Sequence, residues 1–190
     1  MNAGHETTSN SIIWALYLIS QDKEVQDKIY QEVKDVLGNK QPTFEALANL
    51  NYTLAAIKES MRIYPATYTT SRISNQEDEI DGYFIPKNAI INLPSYVTHR
   101  HTDFWEEPLS FKPERFLEPE KLVKFAYFPF GTGPHQCIGQ LFALTEMQII
   151  IAMIINKFEI TFDSSVKVEP VALISLRPKN GLSLNLKKRV

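Results

Sequence analysis

The chain contains a single cysteine, Cys137, which lies among glycines directly before a long apolar helical pattern. Because a lone cysteine cannot form an internal disulfide, it serves as a buried small side chain, a catalytic nucleophile or a metal ligand. Gly131, Gly133 and Gly139 supply backbone that bends tightly and can approach a flat cofactor closely. Of the three roles, this spacing favours the metal ligand.

The residues after the cysteine predict a helix from Gln140 to Phe158, since apolar side chains recur there at helical intervals. Cys137 is therefore expected just before a helix N-terminus. Unpaired backbone amides and the positive end of the helix dipole favour a thiolate at such a position. A thiolate that projects from a glycine-rich loop is what an axial haem ligand requires.

The loop resembles the signature of the cytochrome P450 family: Phe, two residues, Gly, one residue, a basic residue, one residue, Cys, one residue, Gly. The matching residues are Phe130, Gly133, His135, Cys137 and Gly139. His135 is the one departure, since the family most often has arginine there. The resemblance implies haem b as cofactor and Cys137 as the iron ligand. It also implies further haem contacts from His135, Arg72, Phe130, Gly131, Gly139, Gly4 and Ala3.

The first residues, AGHETT at Ala3–Thr8, open a predicted helix that ends near Ser20. In the family such a helix crosses the haem face opposite the thiolate, and Ala3 and Gly4 leave room there for dioxygen. By this resemblance Thr7 hands on protons through water, and Glu6 is the acid that resupplies it. The residues alone leave another interpretation open, in which the acid suits the helix dipole and the threonines act as caps.

Two further motifs, KESMRIYP and FKPERF, contain charged residues that the family brings together. Glu59 and Arg62 are three residues apart and so share a helix face, and Pro65 ends that helix. The resemblance implies that Arg115 joins them in a buried network that braces the haem loop. These three residues are expected to be structural and not catalytic.

Arg72 follows Arg62 by ten residues, where the family places a second propionate-binding cation. The alternative for this residue is an exposed arginine on a strand. Two histidines farther along, His99 and His101, suit packing and turns, and we expect neither to bind a metal.

Composition limits the classes of function. With 44% hydrophobic residues over 190 positions, the chain has enough apolar material for a substantial core. A net charge of −2 and no basic run with interleaved aromatics argue against a nucleic-acid partner. The most apolar run, Ile149–Ile155, is shorter than the roughly 20 residues that span a bilayer. The beginning of the chain lacks the pattern of a signal peptide.

The periodicity predicts a mainly α fold with small β-sheets (α+β), the C-terminal part of the cytochrome P450 fold. Prolines are dense between Pro86 and Pro134, so that region is expected to be an ordered meander whose aromatic residues are buried. Predicted helices are Gln21–Leu37, Pro42–Leu50 and Tyr52–Tyr64. Predicted strands are Tyr68–Ile73, Glu79–Ile80, Tyr83–Ile85 and Ala89–Leu93, with Ile160–Phe162 and Gly181–Leu186 forming a terminal sheet.

The family's catalytic domain is more than twice as long as this chain. The resemblance therefore implies that residues 1–190 are the C-terminal portion of one haem-thiolate monooxygenase domain whose N-terminal half is absent. We expect the isolated chain to fold poorly or to expose a large apolar face. Any membrane contact is expected only through the missing N-terminal region, at the cytosolic face of the endoplasmic reticulum if the full-length form is eukaryotic.

The function implied by the resemblance is insertion of one atom of O2 into a small apolar substrate such as a lipid, sterol or xenobiotic. Residues 66–70 and 171–175 are expected to contact it. An NADPH-dependent flavoprotein reductase or a ferredoxin is expected to supply electrons on the thiolate side, where Lys112, Lys121 and Lys124 lie. Two other classes stay open: a haem-thiolate isomerase or dehydratase, and a truncated non-enzymatic remnant that cannot hold haem.

Overall fold

The computed structural model describes residues 2–38 and 40–189, with side chains from Gly4 onward. Helices dominate and the sheets are small, which confirms the predicted fold class. Three short 3-10 helices lie at Pro113–Phe116, Pro119–Lys121 and Gly133–His135. The α-helices are α1 (Asn2–Gln21), α2 (Lys23–Leu37), α3 (Phe44–Leu47), α4 (Asn51–Ile63), α5 (Ser95–Thr98) and α6 (Gln140–Lys157).

The strands form four two-stranded antiparallel sheets in the described part of the chain. They are β1 (Thr70–Ile73), β2 (Asp78–Ile80), β3 (Tyr83–Ile85), β4 (Ile90–Leu93), β5 (Phe158–Thr161), β6 (Pro170–Ala172), β7 (Leu176–Pro178) and β8 (Asn185–Lys188). Strand β1 pairs with β4, and β2 with β3, while β5 pairs with β8 and β6 with β7. The predicted hairpin turn at Asp81-Gly82 is present, and both residues have positive φ angles, 52° and 81°.

The core forms where α1, α2, α4 and α6 pack together. Helix α6 turns one face inward, and its buried residues are Met147, Gln148, Ile151, Ala152 and Ile155. Ile160 on β5 continues this core beyond the helix. The side-chain amide of Gln26 on α2 bonds to the backbone of that strand as a paired strand would. It donates to the Ile160 carbonyl at 2.9 Å and accepts from the Ile160 amide at 2.8 Å.

Helix α2 begins two residues later than predicted, because Asp22 caps its N-terminus. Asp22 leaves the helical conformation, and its carboxylate accepts a hydrogen bond from the Val25 backbone amide at 3.0 Å. Such a cap starts a new helix, so α2 begins at Lys23 and not at Gln21. Gly38 ends it with φ +57°, as predicted. Helix α3 is shorter than predicted, four residues after the Thr43 cap.

The segment from Pro86 to Pro134 is an ordered meander, although it contains short helices that its prolines did not suggest. Trp105 and Phe116 are buried against Ala55 of α4 and Ala126, which confirms part of the predicted aromatic burial. The prediction is wrong for Phe104, which is 42% exposed. Its ring lies against the exposed His101 ring, 5.3 Å between centroids, at the surface of the meander.

The hairpin β6–β7 was not predicted, because its two strands are only three residues long and each contains a proline. Tertiary contacts hold it in place. Trp14 of α1 is fully buried, stacks on Tyr64 with 3.9 Å between ring centroids, and donates to the Leu176 carbonyl at 3.0 Å. The hairpin is thereby fixed to the middle of α1.

Helix α6 has the length and apolar composition of a membrane-crossing helix, and it is the one such helix between residues 2–38 and 40–189. The sequence analysis considered only the most apolar run, Ile149–Ile155, and therefore underestimated the length of this apolar helix. In the fold this helix packs against α1, α2 and α4. Met147, Ile151, Ala152 and Ile155 belong to the core, and 28% of the helix is buried.

Candidate functional site

A cavity of about 480 Å³ separates the N-terminal part of α1 from the cysteine loop, which we define as Phe128–Gly139. This volume lies within the range of small-molecule and cofactor sites. Its walls come from α1, α4, the segment before β1, β1, the cysteine loop and α6. The lining residues are Gly4, Thr7, Thr8, Ser11, Met61, Ala66, Thr67, Thr70, Arg72, Pro129, Phe130, Gly131, His135, Cys137, Ile138, Gly139, Phe142, Ala143 and Met147.

Cys137 is an exposed free thiol on the cavity wall, three residues before the first residue of α6. Its backbone amide donates to the Phe130 carbonyl at 2.9 Å, which folds the loop back on itself. Gly131 and Gly133 both have φ +72°, a conformation that side-chain-bearing residues adopt at a cost. The glycines therefore set the shape that presents the sulfur to the cavity.

The opposite wall carries the first turns of α1. Thr7 and Gly4 line the cavity, and an added Cβ at Gly4 would meet no atom within 4 Å. The side chain of Ala3 lies outside the described residues. Thr8 and Ser11 also line the cavity, which the sequence did not indicate. The Ser11 hydroxyl donates to the Thr7 carbonyl, one turn back, at 2.9 Å, a type of bond that often bends a helix.

Glu6 does not line the cavity. Its carboxylate accepts a hydrogen bond from the hydroxyl of Ser175, 2.6 Å away and fully buried, just before β7. The amide of Asn10, one turn along α1, donates to the same hydroxyl at 2.8 Å. The acid is thus held at the side of α1 that faces the C-terminal hairpin, and its predicted part in proton supply stays a prediction.

Arg72 and His135, the two side chains expected to contact the cofactor, border the cavity, and their role in binding it stays a prediction. Arg72 is half-buried on β1, and its guanidinium donates to the carbonyl of Ser71 at 2.9 Å. His135 is exposed in the short 3-10 helix of the cysteine loop. Both side chains can therefore pair with the carboxylates of a ligand in the cavity.

These residues fit a haem by the chemistry of the donors present. The cavity combines mainly apolar walls with the sulfur of Cys137, the guanidinium of Arg72 and the imidazole of His135, while Gly4 and the loop glycines add no side chain to its walls. No group of three or more histidine, cysteine or acidic side chains that could bind a metal occurs in the described residues. A haem iron, already held by four porphyrin nitrogens, needs only an axial ligand from the protein.

Behind the loop lies the predicted contact between Glu59, Arg62 and Arg115. Glu59 and Arg62 are fully buried, and their two parallel hydrogen bonds measure 2.7 and 2.8 Å. The Nε of Arg115 reaches the Glu59 carboxylate at 3.3 Å. We call these three residues the buried ion network. Bidentate geometry of this kind is the strong form of an arginine–carboxylate pair.

Several lining residues escaped the sequence analysis because their positions depend on packing. Ala143 and Met147 are four residues apart and so share one face of α6, a spacing that marks a common face but not what it contacts. Ala66, Thr67 and Thr70 fall within the segment predicted to contact substrate. None of the residues 171–175 lines the cavity. Ser175 bonds to Glu6 and Asn10 of α1, and the Leu173 carbonyl accepts from the Tyr68 hydroxyl.

The sequence profile of the cytochrome P450 family matches residues 1–185. Over 98% of its length, the chain is 35% identical to a protein of Mesocricetus auratus named lithocholate 6-beta-hydroxylase. It is 34% identical over 98% of its length to cytochrome P450 3A13 of Mus musculus. To probable cytochrome P450 4d20 of Drosophila melanogaster it is 38% identical over its full length. The chain spans 38% of the length of each of these relatives.

The family match and the cavity agree in position, because the matched residues include both the α1 wall and the cysteine loop. Identity above 30% over nearly the whole chain, repeated in relatives from mammals and an insect, is far more than a shared motif would give. The chain therefore belongs to the cytochrome P450 family.

Proposed function

We propose that this chain forms the haem-binding part of a monooxygenase that inserts one atom of O2 into an apolar organic substrate. The observation that carries the proposal is the exposed Cys137 sulfur on one wall of a mainly apolar cavity, with Gly4 and Thr7 of α1 on the other wall. The family match supports the same reaction class.

The cofactor we propose is haem b, with Cys137 as its axial ligand. A chain with one cysteine cannot attach a c-type haem through the two thioether bonds of a C-x-x-C-H motif. Arg72 and His135 would pair with the propionates. When bound, a haem with a thiolate ligand supplies the chemistry of O2 activation.

The protein's part in proton supply falls to Thr7 and Glu6. Thr7 lines the cavity, and we propose that it passes protons inward from water. Glu6 is the neighbouring acid, and its hydrogen bond from buried Ser175 gives the carboxylate a fixed position beside the cavity wall. Because Glu6 does not line the cavity, we propose that it supplies protons to Thr7 through water.

The proposed substrate is small and apolar, such as a lipid, a sterol or a xenobiotic. Met61, Ala66, Ala143 and Met147 provide apolar walls, while Thr67 and Thr70 provide hydroxyl groups. The name of the hamster relative describes hydroxylation of lithocholate by that protein. Oxygen insertion into a substrate of similar character is consistent with these walls.

For electron supply we propose an NADPH-dependent flavoprotein reductase or a ferredoxin that docks on the thiolate side. Of the three lysines considered for that contact, Lys112 pairs with Glu107 at 2.8 Å, and Lys121 pairs with Glu118. Lys124 lies over the ring of Phe125. The intramolecular pairs reduce the positive charge that Lys112 and Lys121 offer to an acidic partner.

The matched relatives come from animals and from mycobacteria. If this chain belongs to a eukaryotic protein, we propose a location at the cytosolic face of the endoplasmic reticulum membrane. Attachment would depend on a part of the protein outside this chain, because α6 is used in the core.

Replacing Cys137 with serine tests the proposal directly. We expect the reduced wild-type haem protein to give the red-shifted carbon monoxide band of thiolate ligation, and Cys137→Ser to lose it, because a serine hydroxyl does not replace a thiolate. The exchange Thr132→Ser in the same loop is the matched control and should keep the band. A Cys137→Ser protein that retains the band would contradict the assignment.

The same preparation separates the other two classes. Product formation that requires a reductase and O2 supports the monooxygenase, whereas reductase-independent turnover indicates an isomerase or dehydratase. Failure of the wild-type protein to take up haem at all indicates the non-enzymatic remnant.

A further inference from the structure

The buried ion network makes no side-chain hydrogen bond to the cysteine loop among the described residues. Its bonds end in the meander instead. Arg62 donates to the carbonyls of His99, Pro108 and Ser110, at 2.8, 2.7 and 3.1 Å. The Glu59 carboxylate accepts from the Lys112 amide, and Arg115 donates to the carbonyls of Glu106 and Glu107. Any hydrogen-bonded link from this network to the loop therefore runs through another residue.

His99 makes that connection. Its carbonyl receives the hydrogen bond from Arg62, and its ring nitrogen Nε2 accepts a hydrogen bond from the Phe128 amide at 2.9 Å. The side chain has no exposed surface, and its ring contacts the rings of Tyr127 and Phe128, each at 5.2 Å between centroids. One buried residue thus links Arg62 to the first residue of the cysteine loop.

The hydrogen bonds continue from Phe128 toward the sulfur. The Phe128 carbonyl accepts from the Gly131 amide at 3.0 Å, and the Phe130 carbonyl accepts from the Cys137 amide at 2.9 Å. A displacement of Phe128 would therefore reach the backbone of Cys137 through two short connections. Mutation of contacts that orient a metal ligand from behind typically costs roughly 10- to 100-fold in metal affinity or activity.

The contact requires a neutral imidazole, since a protonated ring would direct an N–H at the Phe128 N–H. Burial, together with the Arg62 charge, lowers the pKa of His99 to about 3. The neutral ring carries its proton on Nδ1, which has no hydrogen-bond partner among the described residues. The carbonyls of Met61 and Arg62 are close enough to oppose the lowering of the pKa, but they do not reverse it.

We propose that His99 is a positioning residue for the haem ligand: its imidazole fixes the start of the cysteine loop, and Arg62 fixes His99. The inference rests on the proposed function for the identity of Cys137 as ligand. The contact itself, between His99 and the Phe128 amide, does not depend on that function. The sequence assigned His99 to packing, and this contact gives it a more specific role.

The test compares four variants of the haem-loaded protein. His99→Phe keeps a ring but removes the acceptor. His99→Gln places an amide oxygen near the position of Nε2, whereas His99→Asn is one methylene too short to reach the Phe128 amide. His101→Phe, two residues away and exposed, is the matched control.

Two readouts are measured: the fraction of thiolate-ligated protein in the carbon monoxide difference spectrum, and hydrogen–deuterium exchange of the peptide that contains the Phe128 amide. We expect His99→Phe and His99→Asn to lower the thiolate fraction at least twofold and to raise exchange at Phe128 about tenfold. His99→Gln and His101→Phe should stay within a factor of about two of wild type in both.

Comparing the glutamine with the asparagine variant keeps the test decisive if His99→Phe does not fold. Equal values for His99→Asn and wild type would overturn the proposal, as would a glutamine variant that loses as much thiolate ligation as asparagine. If wild-type protein shows no thiolate band, the proposed function fails. Exchange at Phe128 then still decides whether His99 holds the loop.

Discussion

At the scale of single residues, Glu59 shows how the fold compensates a fully buried negative charge with hydrogen bonds. Its two carboxylate oxygens accept hydrogen bonds from Arg62, from Arg115 and from the Lys112 amide. A buried pair of this kind gains little over apolar packing, but the removal of one partner leaves the other charge without compensation. Glu59 and Arg62 therefore depend on each other.

We expect Glu59→Ala to lower the free energy of unfolding by roughly 3 to 5 kcal/mol, because it leaves Arg62 charged and buried. It should also reduce haem retention, since the network supports the meander behind the cysteine loop. Denaturant unfolding and haem content measure the two effects. Glu114→Ala is the control: this carboxylate is half-exposed and pairs with Lys28, so a loss of less than about 1 kcal/mol is expected. Similar losses for both variants would contradict the argument.

His99 predicts a specific dependence of stability on pH. Its folded-state pKa of about 3 lies below the usual value of 6.5, so the folded protein excludes a proton that the unfolded chain binds. Its contribution is complete above pH 6.5 and is lost as the pH falls from about 6.5 toward 3. Arg62 and Arg100, the nearby charges, both act to keep the ring neutral.

The measurement is the difference in unfolding free energy between wild type and His99→Gln as a function of pH. Between about pH 6 and pH 4.5, the unfolding free energy of wild type should fall with decreasing pH more steeply than that of His99→Gln. The difference between the two slopes should reach up to about 1.4 kcal/mol per pH unit. The comparison removes the contribution of other titrating groups that both proteins share. Parallel curves would show that His99 is protonated in the folded protein.

At the scale of secondary-structure elements, the helix that carries the buried ion network is capped from outside its own sequence. Leu50 precedes α4 and offers no side-chain cap. Instead the Glu32 carboxylate of α2 accepts from the amides of Tyr52 and Thr53, at 2.6 and 2.8 Å, and from the Thr53 hydroxyl at 2.7 Å. A negative charge at this position also suits the helix dipole.

We expect Glu32→Ala to cost about 1 to 2 kcal/mol of stability, since it leaves two helix-terminal amides without their acceptor. Thermal or denaturant unfolding measures this loss. Glu24→Ala on the same helix is a suitable comparison, because that exposed carboxylate pairs only with Lys28, and its loss should cost less than about 0.5 kcal/mol. A Glu32→Ala variant as stable as Glu24→Ala would show that solvent caps α4 equally well.

At the scale of the whole molecule, the mouth of the cavity has an apolar rim. Ile138, Leu141 and Phe142 are exposed beside the cysteine loop, and Ile138 and Phe142 also line the cavity. Exposed apolar groups that cluster in this way mark a surface that binds a ligand or another protein segment. The expectation for the isolated chain, that it folds poorly or exposes a large apolar face, stays a prediction.

We expect the haem-free protein to bind the dye ANS at this rim, and haem to displace it. Phe142→Ser should reduce ANS fluorescence by about half, whereas Phe44→Ser, which changes an equally exposed phenylalanine on α3, should leave it nearly unchanged. Equal reductions in the two variants, or no displacement by haem, would show that the dye binds elsewhere.

The sequence determined the elements whose signals are local. Periodicity and Gly38 were sufficient for α2, the apolar pattern for α6, and Asp81-Gly82 for the β2–β3 hairpin, because these features depend on neighbouring residues. Spacing likewise placed Cys137 before a helix and, with the family resemblance, brought Arg72, His135 and Thr7 to the cavity. The family assignment depended on these same local patterns.

Only the tertiary structure decided which distant residues meet. Four contacts join residues that are 20 to 169 positions apart: the Glu32 cap, the contact from His99 to Phe128, the bond from Trp14 that anchors the β6–β7 hairpin, and the hydrogen bond from Ser175 to Glu6. No local pattern encodes such pairs, because each forms only after the helices pack and bury the groups, so that a polar atom must find its partner within the protein.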